Sequence, residues 1–318
     1  FLVNSGSEAN ELAIRLARSY TKKHEVVVVD GAYHGHTGML IDLSPYKFNG
    51  PGGKGHTEDW VHIVPVPDIY RDNSRDYIKE FEQSITDSDS ISAFIVESIL
   101  SCAGQISFPE GYLSKTFDII RDLGGLCISD EVQVGFGRTG SSMWAFEEHK
   151  VIPDIVVMGK PIGNGHPMAA VFTTKEIASS LGEMEFFSTF GGNPVSCSIG
   201  MAVLDVIENE KLIENARIMG ELFIQGFNEL KEQYKIIGDV RGKGLFLGIE
   251  LVKDRETLEP AAEEAQLLIE GMLSKNILLS IDGPRKNVIK IKPPMVISRE
   301  DVLRTIQSMD EILDTMCN

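Results

Sequence analysis

Short runs of β-branched residues alternate with amphipathic helical segments through the first two thirds of this 318-residue chain. Such alternation is typical of strand–helix–strand units, which place parallel strands side by side under a cover of helices. Apolar residues recur at helical spacing over residues 9–17 and 113–123. The strongest strand candidates span residues 26–30, 93–98, 126–131, 155–160 and 169–173. We therefore predict an α/β fold with a mostly parallel sheet covered on both faces.

The pattern changes in the last third of the chain, which is long enough for two domains. A long helical period covers residues 196–230, and glycines then interrupt a strand-like stretch over residues 242–248. A final amphipathic helix is predicted over residues 300–316. We therefore predict a large domain over residues 1–205 and a smaller α+β domain over residues 206–318.

Composition excludes several classes of partner. The chain carries 30 Lys+Arg against 47 Asp+Glu, a formal net charge of -17, and it has no basic stripe that would neutralise a row of phosphates. We therefore expect no nucleic-acid partner. We also expect no membrane span, because no apolar run approaches the roughly 18 residues that a membrane helix requires. Four cysteines are scattered without metal-ligand spacing, which predicts no metal site and a reducing, cytoplasmic compartment: Cys102, Cys127, Cys197 and Cys317.

The first residue is Phe1, which runs directly into the segment N-S-G-S-E-A-N. No initiator Met, basic region or amphipathic presequence stands before it. We therefore expect the natural chain to begin earlier, and targeting to an organelle stays open.

Polar residues follow the carboxyl ends of four predicted strands, which is where ligands bind in open α/β sheets. Residues 30–35 (D-G-A-Y-H-G) follow the first strand, and Glu97 closes the second. Residues 130–133 (D-E-V-Q) close the third strand, and Lys160 closes the fourth. We expect acids, one lysine and one aromatic ring to converge at one edge of the sheet.

Lys160 ends an apolar strand and is followed by Pro161, Gly163 and Gly165. Its amine would then be partly desolvated, which lowers its pKa and makes an imine with a carbonyl compound feasible. The alternative is an ordinary lysine whose amine reaches water at a strand end.

Asp130 follows four largely apolar residues, so we expect a buried carboxylate that needs a cationic or proton-donating partner. A protonated pyridine nitrogen would supply one. An ion pair with Arg138 or a helix N-cap is the alternative. Glu131 and Gln133 either face solvent or hydrogen-bond a ring substituent.

The start of the first helix and an aromatic residue complete the set. The segment S-G-S over residues 5–7 precedes an Ala-rich helix, whose free N–H groups suit a phosphate. A capping box between Ser5 and Glu8 is the simpler interpretation of the same segment. Tyr33 either stacks on a flat ligand or packs against its neighbours. A lysine, a carboxylate, an aromatic face and a helix terminus together meet the demands of one cofactor, pyridoxal phosphate.

These segments, taken together, resemble the class III aminotransferase family, whose pyridoxal-phosphate enzymes have the type I fold. They occur in family order across nearly the whole chain. The matching segments are N-S-G-S-E-A-N-E-L-A, Y-H-G-H, S-D-E-V-Q-V-G-F-G-R-T-G, P-D-I-V-V-M-G-K-P-I-G-N-G-H-P, S-T-F-G-G-N-P-V-S-C and I-K-P-P-M.

The resemblance implies a role for each matched residue. It implies Lys160 as the Schiff-base lysine and Asp130 as the partner of the pyridine nitrogen, and these two are the catalytic residues. Cofactor contacts are also implied for Gly6 and Ser7 at the phosphate, Tyr33 and Val132 on the two ring faces, Gln133 near the ring hydroxyl, and Thr189 at the phosphate of the neighbouring subunit's cofactor. His34 and Glu97 are predicted to bind the cofactor as well. The protein would then be a homodimer with a shared active site, and the domain over residues 1–205 would bind the cofactor.

Several stretches look closest to the ethanolamine-phosphate and phosphohydroxylysine phospho-lyases, among them I-D-L-S-P-Y-K-F and V-P-V-P-D-I-Y-R. Many aminotransferases of the family carry an arginine shortly before the P-P pair, where it clamps a substrate carboxylate. Residues 289–292 read I-K-I-K instead. Lysine lacks the planar fork of arginine but serves phosphate as a point charge. The resemblance therefore favours a small amine substrate that bears a phosphate.

Four cationic side chains are candidates for binding that phosphate, and a solvated surface cation is the alternative for each: Lys47, Lys54, Arg71 and Lys290. His34 and His166 either shape the pocket or pack. In the favoured hypothesis Lys160 takes a proton from the amine-bearing carbon and phosphate leaves from the adjacent carbon, so ammonia, an aldehyde and inorganic phosphate are released. An alanine–glyoxylate or ω-amino-acid transaminase is the first alternative. A catalytically inactive scaffold is the second.

Overall fold

Strands and helices alternate in the computed structural model, which describes residues 1–85, 88–182 and 185–317. Its strands are β1 (Leu2–Val3), β2 (Glu25–Val29), β3 (Val61–Val64), β4 (Ile91–Glu97), β5 (Ile99–Leu100), β6 (Ile106–Ser107), β7 (Leu126–Asp130), β8 (Ile155–Met158), β9 (Ala169–Thr173), β10 (Ile237–Lys243), β11 (Phe246–Asp254), β12 (Glu259–Pro260), β13 (Ser280–Asp282) and β14 (Val288–Ile291). Its α-helices are α1 (Gly6–Thr21), α2 (Gly38–Asp42), α3 (Pro45–Phe48), α4 (Tyr77–Ile85), α5 (Tyr112–Asp122), α6 (Lys175–Ser179), α7 (Pro194–Asn209), α8 (Leu212–Gln233), α9 (Ala262–Ser274) and α10 (Arg299–Cys317). Two 3-10 turns span Ala145–His149 and Lys160–Gly163.

The large sheet orders its strands β1-β9-β8-β7-β4-β2-β3. Strands β3, β2, β4, β7 and β8 run parallel to their neighbours in that order. Strand β9 pairs antiparallel with both β8 and β1. The predicted mostly parallel sheet is confirmed, and the five predicted strands are all present with bounds that differ by at most two residues.

Strand β2 shows why the central strands read as continuous apolar runs. Val26 and Val28 pack with helix α1 on one face of the sheet, whereas Val27 and Val29 pack with α4 and α5 on the other. All four valines are fully buried. Each buried valine side chain stabilises the fold by roughly 1.5–3 kcal/mol relative to an exposed one. Because parallel strands are covered on both faces, the alternation seen in half-exposed strands is lost.

The second sheet is antiparallel, with the order β10-β11-β14-β13 and with β12 paired to β11. Helices α8, α9 and α10 supply the buried residues that pack against it. The single helix predicted over residues 196–230 is in fact two helices, because Lys211 has a positive φ of 52° and interrupts the helix between α7 and α8. Helix α7 runs through residue 205, so the predicted domain boundary lies inside it. Residue 318, the predicted end of the second domain, lies outside the described residues.

A buried ion cluster around Glu250 joins the second sheet to the loops of the first. Arg241 donates to Glu250 Oε2 at 2.6 Å and to the backbone oxygen of Gly104 at 2.8 Å. Arg71, from the loop after β3, donates from Nε to Glu250 Oε1 at 2.8 Å. These bonds hold strands β10 and β11 against loops that follow strands of the first part of the chain. Within the described ranges, no helix has the length and apolar character to cross a membrane.

Candidate active site

The strand register brings the predicted acids together at the carboxyl edge of the large sheet. Glu97 and Asp130 are direct partners in the parallel pair β4–β7, and Asp130 is the partner of Val157 in the pair β7–β8. Lys160 begins the 3-10 turn that follows β8. The structure therefore places these three polar residues at one edge, as the sequence predicts for parallel strands.

Asp130 is buried and held by three hydrogen bonds. Asn10 Nδ2 donates to its Oδ2 at 2.8 Å, His34 Nδ1 lies 2.8 Å from the same oxygen, and the backbone N–H of Val132 donates to Oδ1 at 3.1 Å. An ionised carboxylate has about four acceptor sites, so one site stays available for a further proton donor. Arg138 is not that donor.

Arg138 instead donates to two backbone oxygens, those of Leu245 and Pro293. The alternative interpretation of Asp130 as the partner of Arg138 is therefore wrong. The alternative of a cap-like bond is present, because the N–H of Val132 donates to Oδ1 of Asp130. That bond uses one acceptor site and is already counted among the three above.

His34 lies against Asp130 rather than at the surface. Its Nε2 is buried and has no hydrogen-bond partner among the described residues. Its backbone N–H donates to Ser44 Oγ at 3.0 Å, and its backbone oxygen accepts from Asn10 at 2.8 Å. The ring thus orients the carboxylate and retains one buried nitrogen without a partner in the described residues.

Gly6, Val132 and Gly159 form a tightly packed floor under this edge. A Cβ at Gly6 would lie 3.0 Å from Val132 Cγ1, and a Cβ at Gly159 would lie 3.3 Å from the Cα of Gly6. The start of helix α1 therefore touches the residues just before Lys160 and just after Asp130. A side chain at Gly6 would therefore press on Val132, and a side chain at Gly159 would press on the backbone of Gly6.

Lys160 has an exposed side chain, and its amine has no hydrogen-bond or ion-pair partner within the described part of the chain. Its φ of 33° is positive, which is uncommon for a residue other than glycine and costs on the order of 1–3 kcal/mol. Such strain persists where the surrounding structure imposes it, and sites of ligand binding are typical locations. The expected partial desolvation of the amine is therefore wrong for this structure, in which the side chain reaches solvent as in the alternative interpretation. The amine is nevertheless unpaired and accessible to a carbonyl compound.

The start of helix α1 combines both interpretations of the S-G-S segment. Ser5 is the N-cap, because its Oγ accepts from the backbone N–H of Glu8 at 3.1 Å. The N–H groups of Gly6 and Ser7 precede the first helical hydrogen bond and so have no partner within the helix. These N–H groups lie at the positive end of the helix dipole, where an anion would be stabilised.

Two aromatic rings and a lysine form one wall of the site. The centroids of Tyr33 and Tyr46 are 5.9 Å apart, and Lys47 Nζ lies 5.7 Å from the ring of Tyr33. Burial raises the pKa of Tyr33, which keeps its phenol neutral. Tyr46 and Lys47 also line a cavity of about 1220 Å³, to which the second sheet contributes Asp282; neither Asp130 nor Lys160 is among its lining residues.

A polar chain links the two sheets across the site. Lys292 Nζ lies 3.2 Å from Gln133 Oε1, and Gln133 donates from Nε2 to Ser101 Oγ at 2.8 Å. Ser101 in turn donates to the buried carboxyl of Glu97. Burial is the main cause that raises the pKa of Glu97, and it favours the neutral carboxyl. Sequence reasoning missed Lys292, although it belongs to the same I-K-I-K segment as Lys290.

Glu131 does not face the site. It is fully buried and accepts from the hydroxyl of Ser98 and from the backbone N–H groups of Ala145 and Phe146. These bonds anchor the 3-10 turn Ala145–His149 to the end of β7. The solvated interpretation of Glu131 is therefore wrong, and its role in this structure is to support the loop.

The predicted cations for a substrate phosphate do not share one environment. Lys47 lies on the aromatic wall of the site. Lys290 Nζ lies 3.0 Å from Asp282 Oδ2, so it already has an acid partner. Lys54 is exposed and pairs with Glu58 at 3.2 Å, which matches the solvated alternative.

Arg71 is the predicted residue that the structure places elsewhere. Its guanidinium donates to Glu250 and to the backbone oxygen of Leu258 in the buried cluster at the sheet junction. A guanidinium already neutralised by a buried carboxylate has no free donor set for a substrate phosphate. The contacts therefore argue against the substrate role predicted for Arg71.

Thr189 is exposed and lies among exposed aromatic residues. Phe187 and Phe190 beside it are 77% and 70% exposed, and Val195 at the start of α7 is 65% exposed. His166 Nε2 lies 2.8 Å from Ser196 Oγ, which fits the packing interpretation of that histidine.

Comparison of the sequence with known protein families shows which family the chain belongs to. The family model for class-III aminotransferases matches residues 1–313. The chain belongs to the class III aminotransferase family. The predicted resemblance and the predicted fold class are thereby confirmed. The relatives of this chain are named as enzymes, which confirms the prediction of an enzyme.

Two curated relatives carry different activity names. The chain is 48% identical to a Drosophila melanogaster protein named alanine–glyoxylate aminotransferase 2-like, over 95% of this chain and 64% of that protein. It is 42% identical to the ethanolamine-phosphate phospho-lyase homolog 1 of Caenorhabditis elegans, over 98% of this chain and 72% of that protein. The chain therefore spans less than two thirds of the length of the fly relative.

Solved structures of the family superpose over almost the whole chain. A phospholyase from Arthrobacter in complex with phosphoethanolamine is 37% identical, with a TM-score of 0.91, over 99% of this chain and 76% of that chain. A Bacillus anthracis aminotransferase is 32% identical, with a TM-score of 0.89, over 99% and 76%. The fold alone therefore does not separate the two activities.

Proposed function

We propose that this class III aminotransferase uses pyridoxal phosphate and eliminates phosphate and ammonia from a phosphorylated amine such as O-phosphoethanolamine. When bound, the cofactor supplies an aldehyde and a protonated ring that delocalises negative charge from the carbon next to the substrate amine. The observation that carries the cofactor proposal is that Lys160, whose amine is unpaired, and Asp130, a buried carboxylate with one acceptor site left, adjoin the same glycine floor. These residues fit the group in charge and shape.

Each side chain of the site has a distinct task in this proposal. The N–H groups of Gly6 and Ser7 would hold the cofactor phosphate at the positive end of α1. Asp130 would keep the ring nitrogen protonated, with His34 fixing the orientation of its carboxylate. The two faces of the ring would contact Tyr33 and Val132. Gln133 would face the ring hydroxyl, with Glu97 behind it.

Lys160 would do the proton chemistry. Its amine has no acid partner among the described residues, so it would be free to hold the cofactor aldehyde and to act as a base toward the substrate. As a base it would take the proton from the amine-bearing carbon. Phosphate on the adjacent carbon would leave with the electron pair of its C–O bond, and hydrolysis of the remaining enamine by water would give ammonia and an aldehyde.

Two observations support the phosphorylated amine as substrate. The Arthrobacter structure at 37% identity is that of a phospholyase in complex with phosphoethanolamine. In this chain, the segment that precedes the P-P pair carries Lys290 in strand β14 and Lys292 directly after it, rather than the planar clamp that suits a carboxylate. Both features favour a substrate that carries phosphate in place of a carboxylate.

Phosphate release tests the proposal. Full-length protein with bound cofactor is incubated with O-phosphoethanolamine, with and without glyoxylate, and inorganic phosphate and ammonia are measured. We expect equimolar phosphate and ammonia independently of the keto acid, and no release by Lys160→Ala. Release that requires the keto acid, or amino transfer without phosphate, would reject the elimination.

A transaminase is the second candidate, because the relative at 48% identity is named an aminotransferase. Lys160 and Asp130 serve both reactions, since both begin with the same proton removal. The same assay decides between them when the amino product of the keto acid is measured alongside phosphate.

We also propose a homodimer in which Thr189 reaches the partner's cofactor, supported by the exposed aromatic surface around it. Residues 1–205 would form the cofactor-binding domain and residues 206–318 the small domain, in a reducing, cytoplasmic compartment. An Arabidopsis thaliana relative at 42% identity is named mitochondrial, so organellar targeting stays an alternative. Light scattering of the Phe190→Glu variant should show a monomer, and we expect that monomer to lose its cofactor. A variant that keeps the mass of a dimer would reject this interface.

A further inference from the structure

Residues 101–105 form a tight turn between strands β5 and β6, which we call the serine turn. The backbone N–H groups of Gly104 and Gln105 both donate to the backbone oxygen of Ser101, at 3.0 and 3.2 Å. Gly104 has a φ of 116° and Gln105 a φ of 54°, which is uncommon for a residue other than glycine. Such a conformation persists where the surrounding structure imposes it, so the contacts of the serine turn decide its shape.

The serine turn holds two side chains of the candidate active site. Ser101 Oγ donates to the buried carboxyl of Glu97 and accepts from Gln133 Nε2 at 2.8 Å. A hydroxyl has a single hydrogen, so donation to Glu97 leaves its oxygen to accept from Gln133. The other end of the same amide, Oε1, has a longer contact of 3.2 Å with Lys292 Nζ. The position of Ser101 therefore sets where the amide of Gln133 lies relative to Glu97.

Backbone contacts dock the serine turn on the second sheet. The N–H of Gly283 donates to the backbone oxygen of Cys102 at 3.0 Å, and Arg241 Nε donates to that of Gly104 at 2.8 Å. A Cβ on Gly104 would lie 3.2 Å from the guanidinium of Arg241, so the turn packs closely against its neighbours. Because these contacts use backbone atoms of the turn, we expect the docking to persist when a side chain of the turn is replaced.

Gln105 adds a side-chain bridge to this docking. Its Nε2 donates to Asp282 Oδ2 and to the backbone oxygen of Ser101, each at 2.9 Å. Its Oε1 is buried without a partner in the described ranges, and turning the amide over would set that oxygen against two acceptor oxygens. The two N–H bonds therefore fix the amide in one orientation. Gln105 is fully buried and Asp282 is 7% exposed, so solvent does not compete for the bond between them.

Asp282 is the end of this bridge in the second sheet. It is the last residue of strand β13, and its Oδ2 also lies 3.0 Å from Lys290 Nζ. The ion pair neutralises the buried carboxylate, which in turn accepts a stronger hydrogen bond from Gln105 than a neutral oxygen would. The two contacts can be separated by mutation, because asparagine keeps an acceptor oxygen and loses the charge.

We propose that Asp282 is a positioning residue of the active site, which acts through Gln105 on the serine turn. By fixing the backbone of Ser101, it sets the position of the Ser101 hydroxyl and so of the Gln133 amide. The inference rests on the proposed function for the task of Gln133, which faces the ring hydroxyl there. The coupling of the second sheet to the serine turn is a property of the chain itself. Asp282 would thus affect the chemistry without touching the reacting atoms.

Hydrogen exchange of the backbone amides at positions 104 and 105 reports the serine turn, because both are bonded to the backbone oxygen of Ser101. It is measured on the full-length protein with and without added pyridoxal phosphate. The absorbance of the bound cofactor gives a second readout, at the position proposed for the ring.

Three variants separate the bridge from the ion pair. Asp282→Leu removes the acceptor, Gln105→Met removes the donor, and Asp282→Asn keeps the acceptor while it loses the charge toward Lys290. Glu259→Leu is the matched control, since Glu259 is an exposed acid that pairs with Lys253 in the same sheet.

Asp282→Leu and Gln105→Met should speed exchange of the two amides roughly ten- to hundredfold, the effect of leaving a buried polar group without its partner. Asp282→Asn should stay within about threefold of wild type, and Glu259→Leu within about twofold. Unchanged exchange in Asp282→Leu overturns the inference. Exchange as fast in Asp282→Asn as in Asp282→Leu also overturns it, because the ion pair with Lys290 and not the bridge would then hold the turn.

A merely structural role of Asp282 predicts a different result. General destabilisation would speed exchange in helix α10 by the same factor and leave the absorbance of the bound cofactor unchanged, and either result overturns the inference. The positioning role leaves exchange in α10 as in wild type and shifts that absorbance in Asp282→Leu and Gln105→Met, with Asp282→Asn close to wild type. In steady state we expect kcat to fall more than KM rises. Failure of the proposed function is read separately, as the absence of phosphate release by wild type, and the exchange measured without cofactor does not depend on it.

Discussion

Replacing Gly6 with alanine tests whether the helix start and Val132 form one packed floor under the site. An added Cβ would lie 3.0 and 3.1 Å from the two methyl carbons of Val132. Gly6 is not among the residues with positive φ, so alanine meets no backbone penalty there. The cost of the substitution therefore comes from this contact.

Two effects of opposite sign compete in Gly6→Ala. Alanine loses less conformational entropy than glycine on folding, which stabilises a helix by roughly 0.5–1 kcal/mol. Overpacking that displaces a neighbour costs roughly 1–3 kcal/mol. Because both methyl carbons of Val132 stand in the way, we expect the second effect to dominate and the helix start to lose about 1 kcal/mol.

Hydrogen exchange of the amides of helix α1, measured in the full-length protein, gives the free energy of local opening. We expect Gly6→Ala to speed this opening roughly fivefold, the factor that corresponds to about 1 kcal/mol. Gly38→Ala is the matched control, because Gly38 also begins a helix but an added Cβ there has nothing within 4 Å. That variant should show no increase in exchange.

Val132→Ala provides the decisive comparison, since it removes both obstructing methyl groups. In that background, Gly6→Ala should cost nothing further, so the two substitutions should be strongly non-additive. If the loss from Gly6→Ala persists in full beside Val132→Ala, the packed floor is not its cause and the argument for the site geometry fails.

Three further predictions address the chemistry and the sheet junction. Lys160→Ala should abolish covalent attachment of the cofactor, read by peptide mass after borohydride reduction, and should lower turnover by at least roughly 10²–10⁴-fold. The control Lys175→Ala, which removes an exposed lysine, should change neither attachment nor turnover. A cofactor still attached in Lys160→Ala would reject the assignment. Asp130→Asn should weaken retention of the cofactor roughly ten- to hundredfold by equilibrium dialysis, because it removes the charged partner of the ring nitrogen, and unchanged retention would contradict that role. Burial raises the pKa of Glu250, but Arg241 and Arg71 outweigh burial and lower that pKa below its ordinary value of 4.5. The stability that Glu250 contributes is therefore fully present above about pH 4.5, the pKa in the unfolded chain. It is lost as the pH falls through the lower pKa of the folded protein. Glu250→Gln should lose roughly 3–5 kcal/mol at neutral pH in urea unfolding and should flatten this acid-side decline, and parallel curves for the two proteins would contradict the prediction.

Local pattern was sufficient to predict the parallel sheet and the edge at which Glu97, Asp130 and Lys160 lie. The valines of β2 and the polar residues after β4, β7 and β8 are adjacent in sequence to the strands that position them. Since parallel strands align their carboxyl ends, Glu97, Asp130 and Lys160 had to approach one another once the strands were recognised. The break between α7 and α8 was missed, because a single left-handed residue at Lys211 does not disturb the helical period around it.

Contacts between residues distant in the chain were decided only by the tertiary structure. Sequence composition treats Arg71, Lys290 and Lys292 as equivalent cations, and nothing nearby in the chain indicates which of them has a partner. Folding pairs the first with Glu250 and the second with Asp282, and leaves the third beside a neutral amide. The sequence thus determined which groups lie at the sheet edge, because strand ends are local. Which cation stays free there depends on how the second sheet docks, because ion pairs form between whichever charges that docking brings within a few ångströms.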